Sequence, residues 1–244
     1  MKILEVKIDE LTKEQALEKA REFLISNQSH KIFTPNPEMI VDAQNDSEFK
    51  EVLNSGDMNL CDGFGLWLAT GRRVERISGV DFMLDLCALA ERKGKSIYLL
   101  GSSCEEVVKK TAEVLQIKFP LLKIVGYNKG HDITKHGTWN MEQNEDVLYN
   151  IITTAPDILF VAFGHGKQEK WIHSNLRDLP SVKIAMGVGG AFDFISGKIK
   201  RAPKFIRKIG LEWMWRLLRE PKRIKRIFKA TFVFLYLLAR RKRY

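Results

Sequence analysis

With 244 residues, 45% hydrophobic and 29% charged, the chain has ordinary globular composition and enough length for one sizeable core with a tail, or for two small domains. It shows no internal repeat and no low-complexity run. The net charge of +10 is unevenly spread: residues 198–244 carry +15 and the rest −5, so a basic segment on a mildly acidic body implies an anionic partner, whether phosphate, nucleic acid or anionic lipid.

Residues 2–8 look strand-like and lead into a polar helix that begins at Thr12, with Gln15 at capping-box spacing. Leu17, Ala20, Phe23 and Leu24 then repeat at helical spacing. A short strand over 31–33 runs into Thr34-Pro35-Asn36-Pro37, where Pro37 suits the first turn of the next helix. Asp46 is placed to cap another helix, ending near Asn54-Ser55-Gly56. Strands are then expected over 58–61, 96–100, 121–125, 157–163 and 182–186, ending at Asp62-Gly63, Gly101, Gly126, Gly164 and Gly187. Helices are expected after Ser103 and over 168–176. Short apolar strands alternating with helices predict an α/β fold, a Rossmann-like, mostly parallel sheet with helices on both faces. Such sheets bind ligands beyond the carboxyl ends of their strands. No strand is expected beyond Gly197, and Pro203 and Pro221 are each expected to start a helix. The expected division is an α/β body over 1–196 and a basic, aromatic-rich helical appendage over 197–244.

Cys61, Cys87 and Cys104 are odd in number and widely spaced. That indicates neither a disulfide framework nor a zinc site and fits a reduced, cytosolic setting. The N-terminus has no secretory apolar region. The apolar stretch 230–239 is half of the ~20 residues a spanning helix needs, so the expectation is a chain that does not cross a membrane.

Three strand-glycine-helix turns stand out: Gly101-Ser102-Ser103, Gly164-His165-Gly166 and Gly187-Val188-Gly189-Gly190. Such turns let backbone N–H groups approach a diphosphate at a helix N-terminus, and they are also the tight turns any α/β protein needs. None fits the dinucleotide or P-loop pattern. Asp193, just past the third turn, suits a ribose contact or a helix cap. Asp62 at a strand end suits a base that takes a proton from an attacking hydroxyl, or an ordinary Asp-Gly turn. Thr34 and Asn36 suit sugar binding or turn backbone, and Gln168 suits a ligand or solvent. Arg76 with Asp81 suits a phosphate clamp or a surface salt bridge. No histidine pair has metal-ligand spacing, so no metal is expected.

The appendage carries Arg216, Arg219, Arg223 and Arg226 with Trp213 and Trp215, followed by Ile227, Phe228, Phe232, Phe234 and Tyr236. Basic and aromatic residues beside a short apolar run suit an anionic membrane surface, and arginines suit bidentate grip on a diphosphate. The same charges would neutralise RNA phosphates. The apolar terminal segment and the missing aromatic RNA-binding strand motif favour the membrane.

Several segments together resemble the bacterial WecG/TagA/CpsF glycosyltransferases. They are TPNPEMI at 34–40, CDGFG at 61–65, RISGVDF at 76–82, FGHGKQEKWI at 163–172, and GVGGAFDFISGKIKRAPKFIRKIGLEWMWRLLREPKRIKR at 187–226. The first looks like the teichoic-acid branch. The resemblance implies an inverting, metal-independent transfer from a UDP-sugar, N-acetylmannosamine or a related hexosamine or uronate. The acceptor it implies is an N-acetylglucosaminyl sugar on undecaprenyl diphosphate, at the cytoplasmic face of the bacterial plasma membrane. No cofactor and no nucleic acid are implied, and self-association stays open. Carried over, Asp62 matches the general base, and Thr34, Asn36 and Gln168 match pocket residues. Asp193 matches a uridine contact, Arg216, Arg223 and Arg226 match diphosphate-side arginines, and Arg76 matches a recurring arginine. Residues 127–137, within GYNKGHDITKHG, lack the usual Gly-Tyr-Phe, so the family's uracil-stacking aromatic is not matched there and Tyr127 is the nearest aromatic. A non-catalytic nucleotide-sugar or lipid binder on the same fold is the rival to the enzyme.

Overall fold

The computed structural model describes residues 1–102, 104–130, 141–221 and 224–241. The N-terminal strand is folded on itself. β1 (Lys2–Ile3) and β2 (Val6–Lys7) pair antiparallel about Leu4 and Glu5, both left-handed at φ 46° and 67°. Only primed turns keep a two-residue hairpin in step with strand twist, and neither residue type advertises one. Thr12 caps α1 (Lys13–Ile25) through the reciprocal bonds with Gln15. β3 (His30–Phe33) ends at the turn where Asn36 caps α2 (Pro37–Asp42), with Pro37 in its first turn. Asp46 accepts from the Phe49 N–H to cap α3 (Ser47–Asn54).

β4 (Met58–Asn59) is followed by α4 (Phe64–Ala69), α5 (Gly79–Lys93), β5 (Ser96–Leu100) and α6 (Glu105–Lys118). β6 (Lys123–Asn128) starts later than expected because buried Leu122 still belongs to the turn leaving α6, its N–H donating to the Phe119 carbonyl. Gly126 therefore lies inside the strand and not at its end. The Tyr98 ring covers it so closely that a Cβ there would sit 2.5 Å from the ring. α7 (Met141–Thr154), β7 (Ile158–Val161), α8 (Lys167–Asn175), β8 (Ile184–Gly187) and α9 (Ala191–Ile195) complete the alternation.

The main sheet runs β4-β3-β8-β7-β5-β6, every pair parallel. Alternate strand residues feed two cores, as a pleated sheet covered on both faces requires. Phe33, Leu100, Leu159 and Val161 enter one core with Met39, Phe49 and Trp171. Ile32, Leu99, Phe160 and Met186 enter the other with Phe23, Leu86 and Phe192.

Beyond Ser196 the described residues contain helices and no strand: α10 (Lys204–Lys208), α11 (Glu212–Arg219), α12 (Ile224–Phe228), a π-helical turn over Lys229–Val233, and α13 (Phe234–Arg241). The last stretch does not merely rest on the body. Phe234 is 1% exposed and belongs to the core that holds Leu4, Val6 and Ile8, with Val233, Leu237 and Leu238 packed around it. Its opposite side leaves Phe228, Phe232, Leu235 and Tyr236 exposed. Emptying that site should be costly: Phe234→Ala is expected to lower unfolding free energy by about 3–5 kcal/mol in urea titrations. A loss below about 1 kcal/mol would mean that the helix is undocked in solution.

Candidate active site

The carboxyl ends of β3 and β4 form one corner. Asp62 follows β4, and its N–H donates to the Pro35 carbonyl, fixing the two strand ends together. Its carboxyl is half-buried by area and set deep among protein atoms. Oδ2 accepts from the Gly79 N–H at the start of α5, at 3.3 Å. Desolvation pushes this carboxyl up to about 6 against the pull of the Gly79 and Gly63 N–H groups, with the Glu212 charge adding to the rise. A carboxylate with that proton affinity is ionised at neutral pH yet basic enough to take a proton. Cys61 beside it is no rival nucleophile, since burial pushes its thiol up to about 12. Thr34 lies against Gly79, its Oγ1 3.1 Å from where a Cβ on that glycine would be, so Thr34 and Asp62 flank the same peptide. Asn36 spends its Oδ1 on the Met39 N–H as a helix cap.

The glycine turns line the same edge further along the sheet. Gly101 answers to close packing, because a Cβ there would meet the Ala162 backbone at 2.8 Å. Gly164 and Gly189 share the positive φ of Gly101 (93°), at 85° and 53°, but face open space. Gln168 does not face solvent. It is buried, its Oε1 accepts from the Gly189 N–H at 2.8 Å, and its Nε2 donates to Glu169 Oε1 at 2.7 Å. Glu169, also buried and pushed up by that burial, accepts from the Gly166 N–H through its other oxygen. The pair thus ties the second glycine turn to the third and packs against Gly187. Asp193 in α9 lies 3.7 Å from Lys198.

The C-terminal helices bring cations to this edge. Arg216 of α11 leans over the third turn. A Cβ on Gly190 would sit 3.0 Å from its Nη2, its guanidinium lies 4.9 Å from the Phe194 ring centroid, and Nε donates to Glu220 at 3.0 Å. Arg226 of α12 reaches the second glycine turn, donating to His165 Nδ1 at 3.2 Å and to both oxygens of Glu38. Arg223 lies outside the described residues, as does most of 127–137; Tyr127 is partly exposed on the edge strand β6. Arg76 and Asp81 do not pair as a phosphate clamp. Arg76 donates to the Arg207 carbonyl at 2.6 Å, and Asp81 is taken by Arg201. Both tether residues 201–207 to the body instead.

Sequence reasoning missed the cluster of Glu38, Asp42 and His165, whose ligand atoms lie within 4.8 Å of one another. Glu38 and Asp42 share one helix face at i,i+4 spacing, the only signal available. The group has the chemistry to hold a cation, and the cations seated there are Arg226 and Lys229, the latter 2.5 Å from Asp42. Arg226 can only donate, so His165 Nδ1 accepts and Nε2 bears the hydrogen pointing at Asp42, 2.9 Å away. Burial pushes the Asp42 carboxyl up, but the bonds from His165 and Lys229 outweigh it and hold it below the usual range.

A family model described as "Glycosyl transferase WecG/TagA/CpsF family" matches residues 1–244. The chain is 34% identical over 215 residues to the N-acetylglucosaminyldiphosphoundecaprenol N-acetyl-beta-D-mannosaminyltransferase of Bacillus subtilis (strain 168), covering 86% of this chain and 80% of that protein. It is 32% identical over 247 residues to the enzyme of the same name from Staphylococcus aureus (strain MW2), covering 99% of this chain and 92% of that one.

Proposed function

Since this chain belongs to the WecG/TagA/CpsF family of glycosyltransferases, we propose that it moves N-acetylmannosamine from UDP to the N-acetylglucosamine of N-acetylglucosaminyl-diphospho-undecaprenol, with inversion. The observation that carries the reading is Asp62, a carboxyl raised to about 6 at the carboxyl edge of the sheet. The open glycine turns and Arg216 line the same edge. The acceptor hydroxyl oxygen attacks the anomeric carbon from the face opposite UDP. Its proton goes to Asp62, the anomeric C–O bond breaks, and the electron pair leaves on the diphosphate. Gly164 and Gly189 give the diphosphate room to approach the turn backbone, while Gln168 and Glu169, which accept from the Gly189 and Gly166 N–H groups, hold those turns in register. Arg216 meets the charge that grows on the leaving oxygen, work that a metal ion performs in other transferases. Thr34, Asn36 and Asp193 contact the sugars and the ribose, and Arg223 joins Arg216 at the diphosphates.

Residues 197–244 act as a closing, membrane-facing appendage in this reading. Among the described residues no helix is long and apolar enough to cross a membrane. The exposed side of α12 and α13 offers Ile224, Phe228, Phe232, Leu235 and Tyr236 with Lys225 close by, which suits lying in an anionic interface at the cytoplasmic face, where a lipid-linked acceptor is held. Site closure at the membrane would limit loss of UDP-sugar to water.

The test is product formation by the full-length chain from UDP-N-acetylmannosamine and an N-acetylglucosaminyl diphosphate lipid, with EDTA present, with and without phosphatidylglycerol vesicles. Inverted product, faster on vesicles, is the expected result. UDP binding without transfer would overturn the donor, and dependence on added metal would overturn the role given to Arg216.

A further inference from the structure

The reaction as drawn makes no use of Arg201, yet this side chain is the most heavily engaged guanidinium beside the base. It lies between α9 and α10, is 17% exposed, and makes four contacts. Nη1 and Nη2 grip the two oxygens of Asp81 at 2.6 and 2.8 Å, Nη2 also donates to Ser78 Oγ at 2.9 Å, and Nε donates to Glu212 Oε1 at 3.2 Å. Ser78 is the residue before α5 and makes no side-chain cap of its own helix; Asp81 stands in the first turn. Between them is Gly79, whose N–H holds Asp62. One planar fork therefore grips both sides of the peptide that orients the base. Its remaining bond reaches Glu212, the first residue of α11, the helix that carries Arg216 to the glycine turn. A lysine at 201 would supply the charge but not this geometry.

We propose that Arg201 and Glu212 are positioning residues that couple docking of α11 to the orientation of Asp62, so that base and leaving-group arginine are set by one contact. This rests on the reading of Asp62 as the base. The charged groups on the elements around Asp62 are Glu212 and Arg201 from the C-terminal segment, Arg76 and Asp81 from the body, and Arg207, which reaches Asp81 at 3.5 Å. Glu212 strengthens the hold of Asp62 on its proton and Arg201 weakens it. Burial pushes Asp81 up, but the bonds and charge of Arg201 more than reverse that, so the fork stays ionic. When α11 lifts away, Glu212 leaves and the fork loses its fourth contact, which loosens the Gly79 peptide under the base.

The test compares the parent chain with Glu212→Gln, Arg201→Gln and Arg201→Lys. The pH dependence of kcat/KM is read beside the carboxyl titration of Asp62, followed by carbon-13 NMR in 13C-aspartate protein and assigned with Asp62→Asn. The coupling predicts shifts of opposite sign, about half a pH unit each: downward in Glu212→Gln and upward in Arg201→Gln. It also predicts that kcat falls on the order of tenfold in both with KM for the UDP-sugar little changed, and that Arg201→Lys restores the titration but not kcat. A purely structural role would move both titrations the same way or neither, and that result would overturn the proposal. If Asp62→Asn keeps the acid limb of the rate profile, the base reading fails. The NMR titrations still decide the coupling, opposite shifts supporting it and equal shifts ending it.

Discussion

Replacing Asp62 with Asn should lower kcat by on the order of 10²–10⁴-fold, the range expected when a positioned general base is removed, while UDP affinity changes little. The parent rate profile should show an acid limb in kcat/KM near the value of about 6 to which burial raises this carboxyl, and the variant should lack it. Stability separates this loss from unfolding. The folded chain holds the Asp62 proton more tightly than the unfolded chain, whose carboxyl has the ordinary value of 3.8. The group's contribution to stability is therefore present below 3.8 and lost as pH rises through about 6. At pH 7 the ionised carboxylate is a cost that an uncharged amide of the same shape removes. Asp62→Asn should then unfold at the same temperature as the parent or a higher one. An inactive variant with a lowered melting temperature would point to damage, and a fully active one would take the base away from Asp62.

Arg216→Ala should cost on the order of 10²–10³-fold in kcat, the scale of removing one preorganised electrostatic contact to a developing charge. Its guanidinium is held over Phe194 and by Glu220, so it waits at the third glycine turn without needing a ligand to recruit it. The negative charge it faces grows as the anomeric bond breaks, so the loss should fall on kcat more than on KM. Lysine should restore only part of the rate, having neither the planar contact with the ring nor the second N–H. A variant with raised KM and unchanged kcat would make Arg216 a ground-state binder and move the leaving-group role to another cation.

How far the sequence reveals this molecule depends on how local each cause is. Caps and turns are local, so Thr12, Pro37 and Asp46 announce their helices, and the apolar run of β5 is legible from end to end. Asp62 and the glycine turns are legible for the same reason: they sit where strands stop. The turn at Leu4 and Glu5 is hidden because ordinary residues adopt a conformation that glycine or asparagine would advertise. Gly126 looks like a strand end until Tyr98, from the neighbouring strand, is seen to lie on it. Arg76 and Asp81 sit five positions apart and invite pairing, yet each turns to the C-terminal segment, more than 100 positions away. Arg226 and Glu38 meet across 188 positions. No spacing rule reaches that far, and so the grip of the C-terminal helices on the body, including Arg201 and Glu212, emerges only from the folded arrangement.

The placement of Phe234 also constrains how the molecule is made. Residues 1–220 leave the ribosome before the helix that carries it, and in that interval the core built by Leu4, Val6, Ile8 and Met39 lacks one wall. The nascent chain must carry this apolar gap until α13 arrives, since the contact joins opposite ends of the chain and forms late. Fragments that stop before residue 224 would keep the gap open, with their apolar surface available to chaperones or to one another. Synthesis cut short thus yields fragments whose core lacks the Phe234 wall and that also lack the segment bearing Arg226.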